Sequence, residues 1–109
     1  MANPVIQASN AYTAQTAGFG ATLQYLTVAP VVARVSIYLA PSAGTGQVRV
    51  KLNFTDDHSV RGITFDAAVL GSPVSICFPI RAANATNITV ETAITGTITY
   101  DMYVVTETF

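Results

Sequence analysis

The chain has 109 residues, six of them acidic and five basic, so its net charge at neutral pH is −1. This length is enough for one domain and too short for two hydrophobic cores. The near-neutral charge gives no indication of a nucleic-acid partner or a membrane surface, and no apolar run reaches the roughly 18 residues of a membrane span.

Charged residues are unusually sparse. They make up 10% of the chain, whereas soluble domains contain about 25%, and the mean hydropathy is positive. A small monomer has a large surface for its volume and normally uses charge to keep that surface soluble. We therefore expect other protein subunits to cover much of the surface, as in an obligate oligomer or a lattice. The alternative is a soluble monomer coated with threonine.

The first eighteen residues are small and polar, with little hydrophobic alternation beyond Pro4, Val5 and Ile6. We predict an extended N-terminal arm over residues 1–18, with at most one short strand, followed by a β-sandwich domain over residues 19–109. An arm with so few apolar anchors is disordered on its own, so we expect a partner to order it.

Seven segments beyond the arm alternate apolar and polar residues with the period of two that is typical of β-strands. They cover residues 19–28, 34–39, 47–55, 60–65, 74–80, 87–92 and 96–109. Pro79 predicts an edge strand or a bulge, because proline cannot donate a backbone hydrogen bond. Seven or eight short strands without a convincing helix predict an all-β fold, an antiparallel two-sheet sandwich, which is a class that includes jelly rolls.

The same alternation assigns the two faces of each strand. We expect the core-facing residues to be Val35, Ile37, Leu39, Val48, Val50, Leu52, Phe54, Ile88, Val90, Ile98, Tyr100, Met102 and Val104. Tyr38 and Tyr103 fall on the opposite, non-core faces of their strands. Exposed tyrosines can stack on a sugar or pack between subunits, and we favour subunit packing.

The sequence offers little for catalysis or metal binding. Its one histidine, His58, lies beside Asp56 and Asp57 in a turn, where solvated polar side chains are expected rather than metal ligands. No nucleophile motif, phosphate loop or dinucleotide fingerprint occurs. We predict that the protein is not an enzyme and uses no metal or cofactor. The single cysteine, Cys77, is expected to be a small buried or half-buried side chain.

Several segments together resemble small virion proteins of tailed phages, of the jelly-roll capsid decoration (cement) or head-fibre type. The segments that carry the resemblance are residues 23–30, 33–39, 52–57, 80–92 and 96–107. The resemblance implies a jelly-roll-like sandwich assembled as a homotrimer. It brings no catalytic residues with it.

The resemblance and the sparse charge lead to one functional hypothesis. The protein is expected to be a phage capsid decoration protein, a trimer that binds the outer surface of the head and clamps neighbouring capsid subunits. Its partners are then its own copies and the major capsid protein, with no nucleic acid and no membrane. We also expect it to be made in the host cytoplasm and to reside on the capsid surface of the virion. No secretory signal opens the chain.

Specific residues can be assigned to this hypothesis, and one alternative stays open. We expect capsid contacts at Pro4, Val5 and Ile6 in the arm, and subunit-interface contacts at Tyr103, Val105 and Phe109. In the alternative, the protein is a fibre or baseplate module that recognises host-surface glycans through loops at 41–46 and 56–59.

Overall fold

A computed structural model describes residues 5–26, 31–55, 59–82 and 86–108 of the chain. Within these residues there are six strands: β1 (Val5–Gln15), β2 (Gly20–Leu26), β3 (Val31–Thr55), β4 (Val60–Thr64), β5 (Val74–Ala82) and β6 (Thr86–Thr108). Every strand pair is antiparallel. No helix occurs in the described part of the chain, so the prediction of an all-β, antiparallel fold is confirmed.

The two longest strands, β3 and β6, pair along nearly their whole length, from Ala33 opposite Thr108 to Asn53 opposite Thr89. Their two halves have different outer neighbours. The first half of β3 and the second half of β6 are flanked by β5 and β1. The second half of β3 and the first half of β6 are flanked by β4 and β2. We call these four-stranded groups the β5 half-sheet and the β4 half-sheet.

The number of strands differs from the predicted seven or eight, because two predicted turns lie inside long strands. Residues 41–46 belong to β3, and the turn before Gly96 belongs to β6. Gly44, Gly46 and Gly96 have φ values of 89°, 104° and 77°, a region that glycine adopts without the steric cost of a Cβ. One extra residue in β3 between Pro41 and Ala43 forms a bulge. The strands therefore continue their pairing through a stretch whose composition indicates a loop.

Part of the predicted N-terminal arm is a strand of this sheet. Residues 5–15 form β1, which pairs with β6 of the same chain from Val5 opposite Thr108 to Gln15 opposite Tyr100. The expectation that a partner must order this segment is therefore wrong for residues 5–15, because β6 supplies their hydrogen bonds. Two register shifts interrupt β1, and Ala14 has a φ of 53°.

The core combines residues from both half-sheets in one cluster. Its buried members are Ala33, Val35, Ile37, Leu39, Val48, Val50, Leu52, Phe54, Ala68, Ile80, Ile88, Val90, Ile98, Tyr100, Met102 and Val104. They include the expected core-facing residues of β3 and β6, whereas Val74, Ile76 and Phe78, which alternate in the same way in β5, are partly buried against the cluster. Phe54 of the β4 half-sheet approaches Phe78 of β5 with ring centroids 6.3 Å apart. Residues of the two half-sheets thus belong to one buried apolar cluster.

Strand β5 confirms one prediction about its residues and corrects another. It pairs with β3 alone among the described strands, so Pro79 lies in an edge strand, as expected. Cys77 is exposed, although a buried or half-buried thiol was expected. The reason is its position: Cys77 alternates with the half-buried Ile76 and Phe78 and therefore points away from the core.

A hydrogen-bond network ties the corner between β1 and β2 to β6. The Phe19 N–H donates to Thr92 Oγ1 at 3.0 Å, and the Tyr100 hydroxyl donates to the Ala17 carbonyl oxygen at 2.8 Å. The Thr92 and Tyr100 hydroxyl oxygens lie 2.6 Å apart. Because Tyr100 donates to Ala17, Thr92 donates to Tyr100. Burial raises the pKa of the Tyr100 phenol, and the hydrogen bond with Thr92 opposes this rise.

Candidate interaction face

The outer face of the β5 half-sheet brings together side chains from four strands. Tyr103 of β6 lies opposite Tyr38 of β3 and also opposite Ala11 of β1. Tyr38 in turn lies opposite Ser75 of β5. Directly opposed residues share one face of a sheet, so these four residues form a row across the half-sheet.

A second row lies beside the first. Ser36 is opposite both Val105 and Cys77, and Val105 is also opposite Ser9. We call the eight residues of these two rows the tyrosine face. It contains no charged side chain, because its members are tyrosine, valine, alanine, serine and cysteine.

The two tyrosines dominate this surface. Tyr38 is 44% exposed and Tyr103 is 42% exposed. Their rings stack with centroids 6.4 Å apart and an interplanar angle of 27°, within the separation at which aromatic pairs attract each other. A shallow hollow of about 240 Å³ adjoins them and extends to Cys77 and Val105. Large aromatic side chains beside small ones make a surface with both a protrusion and a recess.

The charged side chains Arg34, Glu107 and Asp101 flank the tyrosine face, and each of them forms an ion pair or a hydrogen bond. Arg34 forms an ion pair with Glu107 at 3.0 Å, and its Nε donates a second hydrogen bond to the same carboxylate at 3.2 Å. On the other side, Asp101 accepts a hydrogen bond from the Ala14 N–H at 2.7 Å. The margins of the face are therefore polar and its centre is uncharged, which is the arrangement typical of protein–protein interfaces.

The outer face of the β4 half-sheet differs in charge. Lys51 lies opposite Glu91. Arg49, two residues before Lys51, lies opposite Ala93, two residues after Glu91. The Asn53 side chain donates a hydrogen bond to Glu91 at 3.1 Å. Arg49, Lys51 and Glu91 are all exposed, so this second face is suited to contact with water.

The structure brings together some of the predicted contact residues and not others. Tyr103 and Val105 both belong to the tyrosine face, because residues two apart in β6 lie on the same side of the sheet. Val5 and Ile6 begin β1, opposite Thr108 and Glu107. The other two predicted contacts, Pro4 and Phe109, lie outside the described residues. So does the turn formed by Asp56, Asp57 and His58.

Sequence reasoning missed the pairing of Tyr38 with Tyr103. The alternation correctly put both side chains outward, but it carries no information on which residues of two distant strands lie opposite each other. The bulge after Pro41 shifts the register of β3 against β6, and no local signal in the sequence specifies that shift.

The part of the chain that the structure describes contains no group of three or more histidine, cysteine or carboxylate side chains placed to hold a metal ion. In the same residues, no helix has the length and apolar character needed to cross a membrane.

Comparison with known proteins adds similarities at the level of structure. No protein-family model and no curated protein matches the chain. Among solved structures, it is similar to a chain of the Bacillus endospore appendages, described as a novel family of disulfide-linked pili. That match has 20% identity and a TM-score of 0.49, and it covers 98% of this chain and 84% of the other.

The chain is also similar to chains of infectious bursal disease virus. For the Gt strain the identity is 11% and the TM-score 0.47, with 98% of this chain and 33% of the viral chain covered. For the Gx strain the identity is 11% and the TM-score 0.42, with 94% and 31% covered. The chain thus spans about a third of the length of these two viral proteins.

Proposed function

We propose that this protein is a structural subunit that assembles with copies of itself through the tyrosine face. The observation that carries the proposal is the contrast between the two outer faces. One has an uncharged centre with two exposed tyrosines, and the other exposes Arg49, Lys51 and Glu91. Covering the first face desolvates no charge, whereas covering the second would remove ions from water at a cost of several kcal/mol each.

The size of the β5 half-sheet supports this use. Four strands spaced about 4.8 Å apart, with about nine residues each at about 3.3 Å, span roughly 600 Å². A stable interface buries about 800 Å² on each partner. The whole outer face of this half-sheet therefore supplies most of the area that one subunit contact needs. The eight uncharged residues form its centre, and Arg34, Glu107 and Asp101 lie at its rim, which stays accessible to water in typical interfaces.

The assembly that we propose is a homotrimer on the outer surface of a tailed-phage head, where it clamps neighbouring copies of the major capsid protein as a decoration protein. The sparse charge and the resemblance of the sequence to small virion proteins support this form. A trimer makes three capsid contacts at once, so its avidity greatly exceeds the affinity of one subunit. We assign capsid contacts to Pro4, Val5 and Ile6, and the subunit interface to Tyr103, Val105 and Phe109.

We also infer a finer description of the fold, a jelly-roll-like sandwich of two layers. Three observations support it. Each long strand has different neighbours in its two halves, glycines allow a bend between the halves, and Phe54 of one half-sheet contacts Phe78 of the other. In such a sandwich the tyrosine face and the charged face are the two outer surfaces, facing away from each other.

The proposal is tested by the mass of the protein in solution. Analytical ultracentrifugation should give a species of about 34 kDa, three times the 11.4 kDa of one chain. Tyr103→Lys places a charge at the centre of the interface and should convert this species to single chains. Empty phage heads should co-sediment with the wild-type protein and not with the variant.

The matched control is Thr22→Lys, which adds the same charge at an exposed position of β2 in the β4 half-sheet. It should leave the mass unchanged. A wild-type protein that stays a single chain at all concentrations, or a Tyr103→Lys variant that still assembles, would contradict the proposal.

A second candidate function is recognition of host-surface glycans by a fibre or baseplate module. The observation that favours it is the hollow of about 240 Å³ beside the exposed rings of Tyr38 and Tyr103, because sugar rings stack on exposed aromatic side chains. A glycan that changes the tyrosine fluorescence of the single chain, and fails to do so in Tyr38→Ala, would favour this function over assembly.

A further inference from the structure

The structure points to a second contact between copies of the chain, independent of the tyrosine face. We propose that β1 exchanges between subunits, so that β1 of one copy pairs with β6 of another copy in the register that it has within one chain. Strand exchange of this kind requires a strand at a sheet edge, a hinge next to it and a fixed segment beyond the hinge. The chain has all three.

Strand β1 meets the first requirement, because it lies at the edge of its half-sheet. It pairs with β6 on one side and is the terminal strand of its half-sheet. None of its side chains at residues 9–15 is buried, and register shifts interrupt the pairing after Ile6 and after Tyr12. Among residues 9–15, Tyr12 is the side chain that packs against the core, beside Phe19, so opening these residues loses few apolar contacts. The backbone pairing of the residues before the hinge would be regained on a second copy.

The hinge lies at the second register shift. Ala14 has a φ of 53° and is the one residue other than glycine with a positive φ in the described part of the chain. An alanine in this conformation is strained, because its Cβ crowds the backbone. The hydrogen bond from its N–H to Asp101 holds the conformation in place. When β1 swings out, residue 14 becomes extended and the strain is released.

The segment just after the hinge is fixed. The Ala17 carbonyl accepts the hydroxyl of Tyr100, and Phe19 exchanges hydrogen bonds with Thr92. Opening at residue 14 therefore releases β1 and leaves β2 in its place. An extended strand of 11 residues reaches about 36 Å, which is comparable to the 43 Å length of the whole subunit. Exchange therefore requires the β6 strand of the neighbouring copy to lie within that distance.

Engineered disulfides test the exchange directly. In a Cys77→Ser background, Ala11→Cys and Tyr103→Cys place two thiols on opposed residues of β1 and β6, at a separation that a disulfide bridges. The protein is purified reduced, concentrated and then oxidised. We expect denaturing gels without reductant to contain covalently linked species of two or more chains. Linkage within single chains only would overturn the proposal.

Two controls separate this exchange from assembly through the tyrosine face. The pair Tyr38→Cys and Tyr103→Cys joins β3 to β6, neither of which exchanges, so it should give single chains. Tyr103→Cys alone reports disulfides between two β6 strands. Both pairs replace Tyr103, and the control pair replaces Tyr38 as well, so neither pair keeps the tyrosine face intact. Assembly through that face is therefore measured on the wild-type chain, and the exchange can fail while that face still assembles.

The hinge is tested by Ala14→Gly. Glycine relieves the strain of the closed form and should weaken exchange by about tenfold for each hinge, hence about a hundredfold for a reciprocal dimer. Ala14→Pro, which cannot adopt the closed φ, should have the opposite effect. An Ala14→Gly protein with the same proportion of linked chains as its parent would refute the assigned hinge. If Ala14→Pro fails to fold, Ala14→Gly still tests the hinge and the disulfides still test the exchange.

Discussion

The hydroxyl of Tyr100 should stabilise the fold by more than an average hydrogen bond. It donates to the Ala17 carbonyl oxygen at 2.8 Å and accepts from Thr92 at 2.6 Å, and the Tyr100 side chain is fully buried. Tyr100→Phe keeps the ring and its packing but leaves a carbonyl oxygen without its donor. Thr92 loses its acceptor and can turn only toward the Phe19 carbonyl oxygen at 3.4 Å.

The expected cost follows from these two losses. Leaving a buried polar group unsatisfied costs about 1–3 kcal/mol. Because Ala17 is exposed and its carbonyl oxygen can bind water instead, we expect Tyr100→Phe to fall in the lower half of that range. For a domain of this size, each kcal/mol lowers the melting temperature by roughly 4–8 °C. Guanidinium unfolding at one fixed protein concentration measures the free energy, and the slope m should stay unchanged because the same surface is exposed.

The control is Tyr12→Phe, which removes a hydroxyl from the same corner and keeps the ring that packs on Phe19 at 5.0 Å. It should change the stability by less than about 0.5 kcal/mol. Thr92→Val combined with Tyr100→Phe should cost less than the sum of the single changes, because both act on one network. A Tyr100→Phe protein as stable as the wild type would refute this account of the corner.

Three other outcomes are expected. The raised pKa of Tyr100 means that the folded state holds the phenol proton more tightly than the unfolded state does. The stability that this group contributes is therefore full below about pH 10 and falls as the pH rises further. Unfolding curves at graded pH should show this fall for the wild type and not for Tyr100→Phe. Thr106→Val should raise stability by about 1 kcal/mol in the same assay, because Thr106 Oγ1 is buried without a partner among the described residues, and a loss of stability would contradict that reason. Gly46→Ala should lower the free energy of unfolding by about 3 kcal/mol or more, since its Cβ would meet the Thr95 carbonyl oxygen on the paired strand. The control is Gly71→Ala, which has a similar φ and open space around it and should lose only about 1–2 kcal/mol to backbone strain. Equal losses for the two variants would show that the close approach at Gly46 is unimportant.

The local pattern of side chains accounts for what the sequence determined. Apolar and polar residues alternate with period two in segments such as 47–55 and 96–104, and only a strand puts such residues on one face. The core-facing positions and the outward direction of Tyr103 follow from this rule. Pro79 indicated an edge strand or a bulge because proline has no backbone N–H to donate. These features depend on one strand at a time, so the sequence is sufficient to predict them.

Tertiary structure decided which strands lie side by side and in what register. Pairing β3 with β6 over their full length joins residues far apart in sequence, and their register depends on one bulged residue after Pro41 and on glycines that carry the strands through the bend. A shift of one residue would turn every side chain to the opposite face, and none of the segments encodes that shift by itself. The contact between Tyr38 and Tyr103 and the place of β1 in the sheet arise from that pairing. Only the folded chain determines them.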